Sequence, residues 1–146
     1  DLALSVAQGG SEGAVVTLAA APEACKTLFC ICGVELYKQL AQSLGPAVLT
    51  TGIFLPIEED FLRGSSIPPL EHVAQMYLEM VLKHQPIGPF YLSGVSFGGM
   101  VAYEMARQLR LRGQVVASLG IFDTALPQMI TLPRRMRAHL ALSFRR

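Results

Sequence analysis

The amino-acid sequence predicts an α/β fold with a mainly parallel sheet and helices on both of its faces. Short apolar runs rich in β-branched residues alternate with segments of helical periodicity, which is the order typical of such folds. The 146 residues are 51% apolar and only 16% charged, which is enough to form a sizeable core. Residues 114–122 are an almost continuous apolar run, the pattern of a strand covered on both faces.

The first part of the chain is predicted to be a linker followed by three strands and a helix. Residues 1–13 are rich in Gly, Ser, Ala and Gln and lack periodicity, so we interpret them as a linker to a domain over residues 14–146. Proline and glycine bound the β-rich runs that we predict to be strands, at 15–20, 27–32 and 48–55. A short helix is predicted at 37–44.

The second part is predicted to contain two helices, each followed by a strand. Apolar residues keep helical spacing over 69–84, with polar residues on the opposite side. Proline and glycine end this helix, and a strand over 90–93 runs into Gly94. A second helix over 98–111 stops at Gly113, and the strand at 114–122 then ends in Asp123.

Composition and charge argue against several classes of protein. A net charge of +1 gives no basic field for nucleic acid, and the longest apolar stretches are too short to span a bilayer. The first residues lack the features of a secretory signal, so we expect a cytoplasmic protein without nucleic-acid or membrane partners. Three cysteines favour neither a disulfide framework nor a metal site and are interpreted as small buried hydrophobic residues: Cys25, Cys30 and Cys32.

A nucleophile motif lies between a predicted strand and a predicted helix. Residues 94–98 match G-x-S-x-G, and such a turn holds its serine, here Ser96, in strained geometry. Gly94 and Gly98 fit because larger residues would clash in so sharp a turn. Phe97 begins the helix, so its N–H and the positive helix end face the site where a carbonyl oxygen becomes negative. The motif predicts Ser96 as nucleophile and Phe97 as an oxyanion donor; the alternative is an ordinary glycine-rich turn.

Asp123 is the second candidate catalytic residue. The two strands of a strand–helix–strand crossover end at the same edge of a parallel sheet, so Ser96 and Asp123 should share that edge. A carboxylate there can orient a histidine and stabilise its imidazolium, which is the role of the acid in a catalytic triad. The alternative is that Asp123 caps the loop at 124–127.

These residues together resemble the thioesterase domain that ends nonribosomal peptide and polyketide synthases, a member of the α/β-hydrolase superfamily. The resemblance runs from about residue 15 to 127 and is carried by the segments 90–99, 102–106 and 122–124, with Leu109 and Gly113. It is specific because the serine motif, the long Ala/Glu helix and the spaced Asp-Thr occur together. It implies an α/β-hydrolase fold that is truncated at its C-terminal side, with the start of a lid at about 127–146.

The resemblance also implies an activity. Ser96 would accept an acyl, peptidyl or polyketide chain from a thioester on the phosphopantetheine arm of a carrier protein, with Asp123 as the triad acid and no bound cofactor. The carrier would lie upstream in the same polypeptide. The chain departs from the family in the loop after Ile31, which commonly has a His-Gly-x-Gly-Gly-type sequence and supplies a second oxyanion amide. Here the loop is shorter, and Gly33 is the candidate donor.

The base that should activate Ser96 is not evident in the sequence. A serine nucleophile needs a histidine within hydrogen-bond reach. His72 and His84 fall on the helix predicted at 69–84 and are interpreted as surface residues, whereas His139 follows Asp123 but lies in the lid-like segment. The resemblance implies a histidine beyond Arg146, so we expect a fragment that is weak or inactive alone.

Two other functions stay open. A carboxylesterase or lipase would use the same fold and the same serine. A catalytically silent module would only dock a carrier protein, and the missing histidine and short oxyanion loop favour it. The sequence does not distinguish hydrolysis from cyclisation.

Overall fold

The computed structural model describes residues 13–124, so most of the predicted linker and all of the lid-like segment at 127–146 lie outside the described residues. Across this range five strands form one sheet in the order β1-β3-β2-β4-β5. They are β1 (Ala14–Ala19), β2 (Thr27–Ile31), β3 (Leu49–Phe54), β4 (Phe90–Val95) and β5 (Val116–Phe122). β1 is antiparallel to β3, and the other three pairs are parallel. The predicted, mainly parallel sheet is confirmed.

Within the same range four α-helices connect the strands. They are α1 (Lys38–Leu44), α2 (Ile57–Leu62), α3 (Leu70–His84) and α4 (Phe97–Leu111), and 3-10 turns at Val34–Tyr37 and Gly45–Ala47 flank α1. None of these helices is long and apolar enough to cross a membrane. α2 is missing from the sequence-based prediction, although it follows Pro56 and has three acidic residues in its first turn, both typical of a helix start.

Helices cover both faces of the central strand β2. Phe29 and Ile31 are fully buried and belong to the main core, together with residues of α3 and α4 such as Tyr77 and Met105. Cys30 lies on the opposite face because side chains alternate along a strand, and it is also fully buried. Tyr37, in the turn that leads into α1, is buried outside the main core cluster. The prediction of helices on both faces is confirmed.

The strand predicted at 114–122 differs from its prediction. No residue of β5 is buried among the described residues, so the expectation that this strand is covered on both faces is not met there. The physical reason is its position: β4 is its only sheet neighbour in the described part, and α4 packs against it.

The cysteines agree with their prediction in two cases out of three. Cys30 and Cys32 are buried, as expected of small hydrophobic side chains. Cys25 is exposed, because it lies in the turn that precedes β2 and not in the strand itself. All three are free thiols.

The strand order creates a crevice at the carboxyl ends of β2 and β4. β2 and β4 are neighbours in the sheet. The chain continues from β2 to β3 on one side and from β4 to β5 on the other, so it leaves β2 and β4 in opposite directions. Ligands of open α/β sheets bind at such a switch point. The loops that follow β2 and β4 are therefore where a functional site is expected.

Candidate active site

Ser96 lies in the sharp turn between β4 and α4 and is the N-cap residue of that helix. Its backbone has φ 54° and ψ −122°, a conformation that residues with a side chain rarely adopt. The Ser96 N–H donates a hydrogen bond of 2.9 Å to the carbonyl oxygen of Phe122. The serine is therefore held in strained geometry at the end of the sheet, as in a nucleophile elbow.

The two glycines of the motif allow close approach of the backbone. A Cβ atom on Gly94 would overlap the backbone of Gly98, and a Cβ atom on Gly98 would overlap the carbonyl oxygen of Ile31. The first turn of α4 thus lies directly against the ends of β4 and β2. Only glycine fits at these two positions without a shift of the backbone.

Phe97 is the first residue of α4, so its N–H has no acceptor within the helix. Ser96 and Phe97 both border a cavity of about 220 Å³ at the crevice between β2 and β4. Its wall is formed by three segments of the chain: Cys32, Gly33 and Leu36; Glu58, Phe61 and Leu62; and Val95 to Gly98. An anion near Ser96 would lie at the positive end of the α4 dipole.

The cavity wall is mostly apolar. The ring of Phe61, from α2, stacks on that of Phe97 with centroids 4.4 Å apart and planes inclined by 13°. Leu36 and Leu62 also line the cavity and are largely exposed to solvent. These side chains could shield an apolar group of a ligand from water.

The carboxylate of Glu58 accepts a hydrogen bond from the Gly33 N–H, which the sequence predicts as a second oxyanion donor. The Gly33 N–H donates to Glu58 Oε2 at 2.8 Å, while Leu55 N–H and the Tyr77 hydroxyl donate to Oε1 at 3.2 and 2.7 Å. A substrate oxygen could bind Gly33 N–H only if the bond to Glu58 opened. The oxyanion role of Gly33 stays a prediction.

Cys32 also borders the cavity, but its thiol has low nucleophilic reactivity. Burial is the main cause that raises the pKa of its thiol to about 12, so it is protonated at neutral pH. The thiol donates to the Tyr77 oxygen at 3.0 Å. Since the thiolate is the nucleophilic form of cysteine, the protonated thiol of Cys32 is a poor nucleophile.

The Tyr37 hydroxyl bridges the ends of β2 and β4, which lie beside the cavity. Its hydroxyl donates to the carbonyl oxygen of Ile31 at 2.7 Å and accepts from the N–H of Val95 at 2.9 Å. Burial is the main cause that raises the pKa of Tyr37, so the hydroxyl keeps its proton. The bond between Tyr37 and Val95 and the bond between Tyr77 and Glu58 have no sequence signal, because the partners are 58 and 19 residues apart.

Asp123 lies at the same edge of the sheet as Ser96. The residues that precede them, Phe122 and Val95, are partners in the pairing of β5 with β4. Asp123 is exposed, has φ 48°, and does not line the cavity. The structure brings the two residues to one edge, and the triad role of Asp123 stays a prediction.

The histidines of the described chain lie away from the cavity. His72 and His84 are exposed residues of α3, and neither lines the cavity. The His84 ring packs edge-on against Phe29, with centroids 5.9 Å apart. His139 lies outside the described residues.

Comparison with known proteins places the chain in a family. A family model described as a thioesterase domain matches residues 28–145. Polyketide synthase PksR of Bacillus subtilis (strain 168) is 36% identical over 94 residues, which are 63% of this chain and 4% of that protein. Enterobactin synthase component F of Escherichia coli (strain K12) is 46% identical over 59 residues, 40% of this chain and 5% of that protein.

Solved structures of thioesterase domains share the fold. The NocB thioesterase domain from the nocardicin cluster superposes with a TM-score of 0.63 at 29% identity, covering 87% of this chain and 57% of that one. The same domain is known as a covalent complex with a fluorophosphonate nocardicin G analogue, at a TM-score of 0.62 and 28% identity over 91% of this chain and 58% of that one. The chain thus spans little more than half of that domain. Because the family model covers most of its length, the chain belongs to the thioesterase domain family, with relatives in polyketide and nonribosomal peptide synthases.

Proposed function

We propose that the chain carries the nucleophile of a thioesterase that releases an acyl, peptidyl or polyketide chain from the phosphopantetheine arm of a carrier protein. The observation that carries the proposal is the strained backbone of Ser96 at the N-terminus of α4, beside the cavity. Family membership supports the reaction type, and the synthase relatives support a carrier-bound substrate.

The reaction proceeds in two steps. Ser96 Oγ attacks the thioester carbonyl carbon while a histidine base accepts its proton, and the Phe97 N–H donates to the developing oxyanion. The C–S bond breaks, the phosphopantetheine thiol takes up a proton, and the acyl group remains on Ser96 as an ester. Water or a nucleophile within the acyl chain then attacks this ester and loses a proton to the histidine, which returns a proton to Ser96 Oγ as the Oγ–acyl bond breaks; the product is the free acid or a cyclic compound. Asp123 orients the histidine and stabilises its imidazolium.

The bond between Gly33 and Glu58 favours a second candidate, a carrier-docking module without catalysis. While Gly33 N–H is bonded to Glu58, Phe97 N–H is the one of the two candidate donors that could bind the oxyanion. Loss of one oxyanion donor costs about 10² to 10³ in rate. Under this alternative the carrier would bind and its thioester would stay intact.

Turnover of an acyl-loaded carrier protein by the full-length protein separates these functions. Ser96→Ala should abolish release, and the variant should remain folded because it loses one oxygen at a turn. Ser93→Ala is the matched control: it removes a hydroxyl without a hydrogen-bond partner three residues earlier on β4, and release should continue. Release by Ser96→Ala at the parental rate would refute the proposal. Carrier binding without release by the parental protein would establish the silent module.

A further inference from the structure

We propose that Thr124 is a positioning residue, whose hydroxyl fixes the backbone of Ser96 relative to the turn that carries Asp123. The proposal rests on the proposed function of Ser96. It assigns a role in catalysis to a residue outside the G-x-S-x-G motif and outside the cavity wall.

The Thr124 hydroxyl lies between two backbone carbonyl groups. Its Oγ1 is 2.9 Å from the carbonyl oxygen of Ser96 and 2.8 Å from that of Phe122. A hydroxyl has one proton to donate, so these two carbonyls share it. One of them belongs to the nucleophile residue and the other to the last residue of β5.

Gly99 provides the space that this hydroxyl occupies. A Cβ atom on Gly99 would collide with Thr124 Oγ1 and would also lie 2.9 Å from Thr124 Cβ. The glycines needed by the elbow itself are Gly94 and Gly98. The contact with Thr124 therefore explains why a further glycine, Gly99, directly follows the motif.

Both backbone groups of Ser96 are thus bonded to a single turn. The Ser96 N–H donates to Phe122 at 2.9 Å, and the Ser96 carbonyl oxygen accepts from Thr124. Asp123 lies between these two partners in the sequence. The same carbonyl oxygen also accepts from the Gly99 N–H at 2.9 Å and the Met100 N–H at 3.4 Å within α4, so the Thr124 hydroxyl is the bond that ties it to the turn of Asp123. Loss of this hydroxyl would let the start of α4 shift relative to Asp123, and displacements of about 1 Å in a catalytic group can cost about a hundredfold in rate.

The test compares Thr124→Val, which keeps the shape and removes the hydroxyl, with Thr124→Ser, which keeps the hydroxyl. In the full-length protein, the rate constant for covalent modification of Ser96 by an alkyl fluorophosphonate is measured with kcat and KM for an acyl thioester. Thr124→Val should lower the modification rate and kcat about tenfold or more, with KM nearly unchanged. Thr124→Ser should retain both rates. Thr17→Val makes the same change on β1, at the far edge of the described sheet, and should have no effect.

Each outcome decides the proposal. Equal modification rates for the parent and Thr124→Val would overturn it, as would a Thr124→Ser variant as slow as Thr124→Val, or a change in KM alone. If Thr124→Val does not fold, Gly99→Ala is the second variant, because its new Cβ atom would push the Thr124 hydroxyl out of place. Slow modification of folded Gly99→Ala supports the proposal. Modification of Gly99→Ala at the rate of the parent overturns it. Failure of the probe to modify Ser96 in the parent would instead refute the proposed function, and this role with it.

Discussion

Ser96 and Asp123 both have positive φ values, 54° and 48°, although neither is glycine. Such conformations cost about 1–3 kcal/mol each and persist only where the surrounding structure holds them. For Ser96 the hydrogen bond to Phe122 and the contacts of Gly94 and Gly98 provide that support. Strain at two residues on one sheet edge favours a functional site there.

Asp123→Asn tests the triad role of this carboxylate. The amide keeps the size of the side chain but cannot hold the histidine in the required tautomer, so kcat should fall by about 10⁴. Steady-state kinetics with an acyl thioester measure the effect, and Asp60→Asn, an exposed position on α2, is the control. A loss of less than about tenfold, far below the effect of a lost triad acid, would assign Asp123 to loop capping.

Glu58→Gln tests the hydrogen bonds around the loop after β2. An amide can keep the acceptor for Leu55 and Tyr77, but its NH₂ group then faces the N–H of Gly33, which loses its acceptor. The free energy of unfolding should fall by about 1–3 kcal/mol, as urea denaturation would show. Glu59→Gln, which removes only an exposed ion pair with Arg63, should cost less than about 1 kcal/mol. Equal effects of the two substitutions would show that the hydrogen bonds of Glu58 do not stabilise the fold.

Among the elements, the strands and long helices were predictable because each follows a local periodicity. α3 and β4 begin and end within two residues of their predicted bounds, and α4 follows directly from the glycine-rich motif. α2 could not be found by apolar periodicity because it is only six residues long and none of them is buried. The contacts of Glu58, Tyr77 and Tyr37 depend on tertiary structure, so the sequence indicates Ser96 and Asp123 but not the residues that support them.

A pH-dependent contribution to stability belongs to α4, the helix that follows Ser96. The pKa of Glu104 is lowered, chiefly because the Arg107 guanidinium donates hydrogen bonds of 2.8 and 2.7 Å to its carboxylate. A carboxylate with a lowered folded-state pKa stabilises the fold above its unfolded-state pKa, and this stabilisation is lost as the pH falls through the folded-state value. Glu104→Gln should therefore lower the unfolding free energy near neutral pH, and the deficit should shrink below about pH 4.

Urea unfolding at several pH values measures this deficit. Glu79→Gln, at an exposed position of α3, serves as the control and should give no deficit that changes over this range. A Glu104→Gln deficit that stays constant with pH would show that the charge of Glu104 does not stabilise α4.

At the scale of the whole molecule, three distant segments meet at the cavity. The loop after β2, helix α2 and the turn after β4 each contribute to its wall, because the strand order brings their starting points to one edge. The apolar side chains come mainly from the first two segments, whereas Ser96, the proposed nucleophile, comes from the third. Under the proposed function, acyl recognition and chemistry would therefore be carried by separate parts of the chain.

Phe61→Ala tests whether the cavity binds an apolar acyl chain. Loss of the ring that stacks on Phe97 removes about 1–2 kcal/mol of apolar burial, so kcat/KM for a long-chain acyl thioester should fall about tenfold. An acetyl thioester, which has no long apolar chain to bury, should be turned over nearly as before. Leu111→Ala, an exposed apolar position at the end of α4, is the control. An equal loss with both substrates would show that Phe61 supports the fold instead of binding the acyl chain.

Trapping of the acyl-enzyme tests whether Ser96 is the nucleophile. The full-length protein is mixed with an acyl-loaded carrier protein, quenched in acid within the first turnover, digested and analysed by mass spectrometry. We expect the acyl mass to be added to the peptide containing Ser96, and the Ser96→Ala variant to carry no acyl group. Release of the acyl chain with no adduct on Ser96, or with an adduct on another residue, would contradict this expectation.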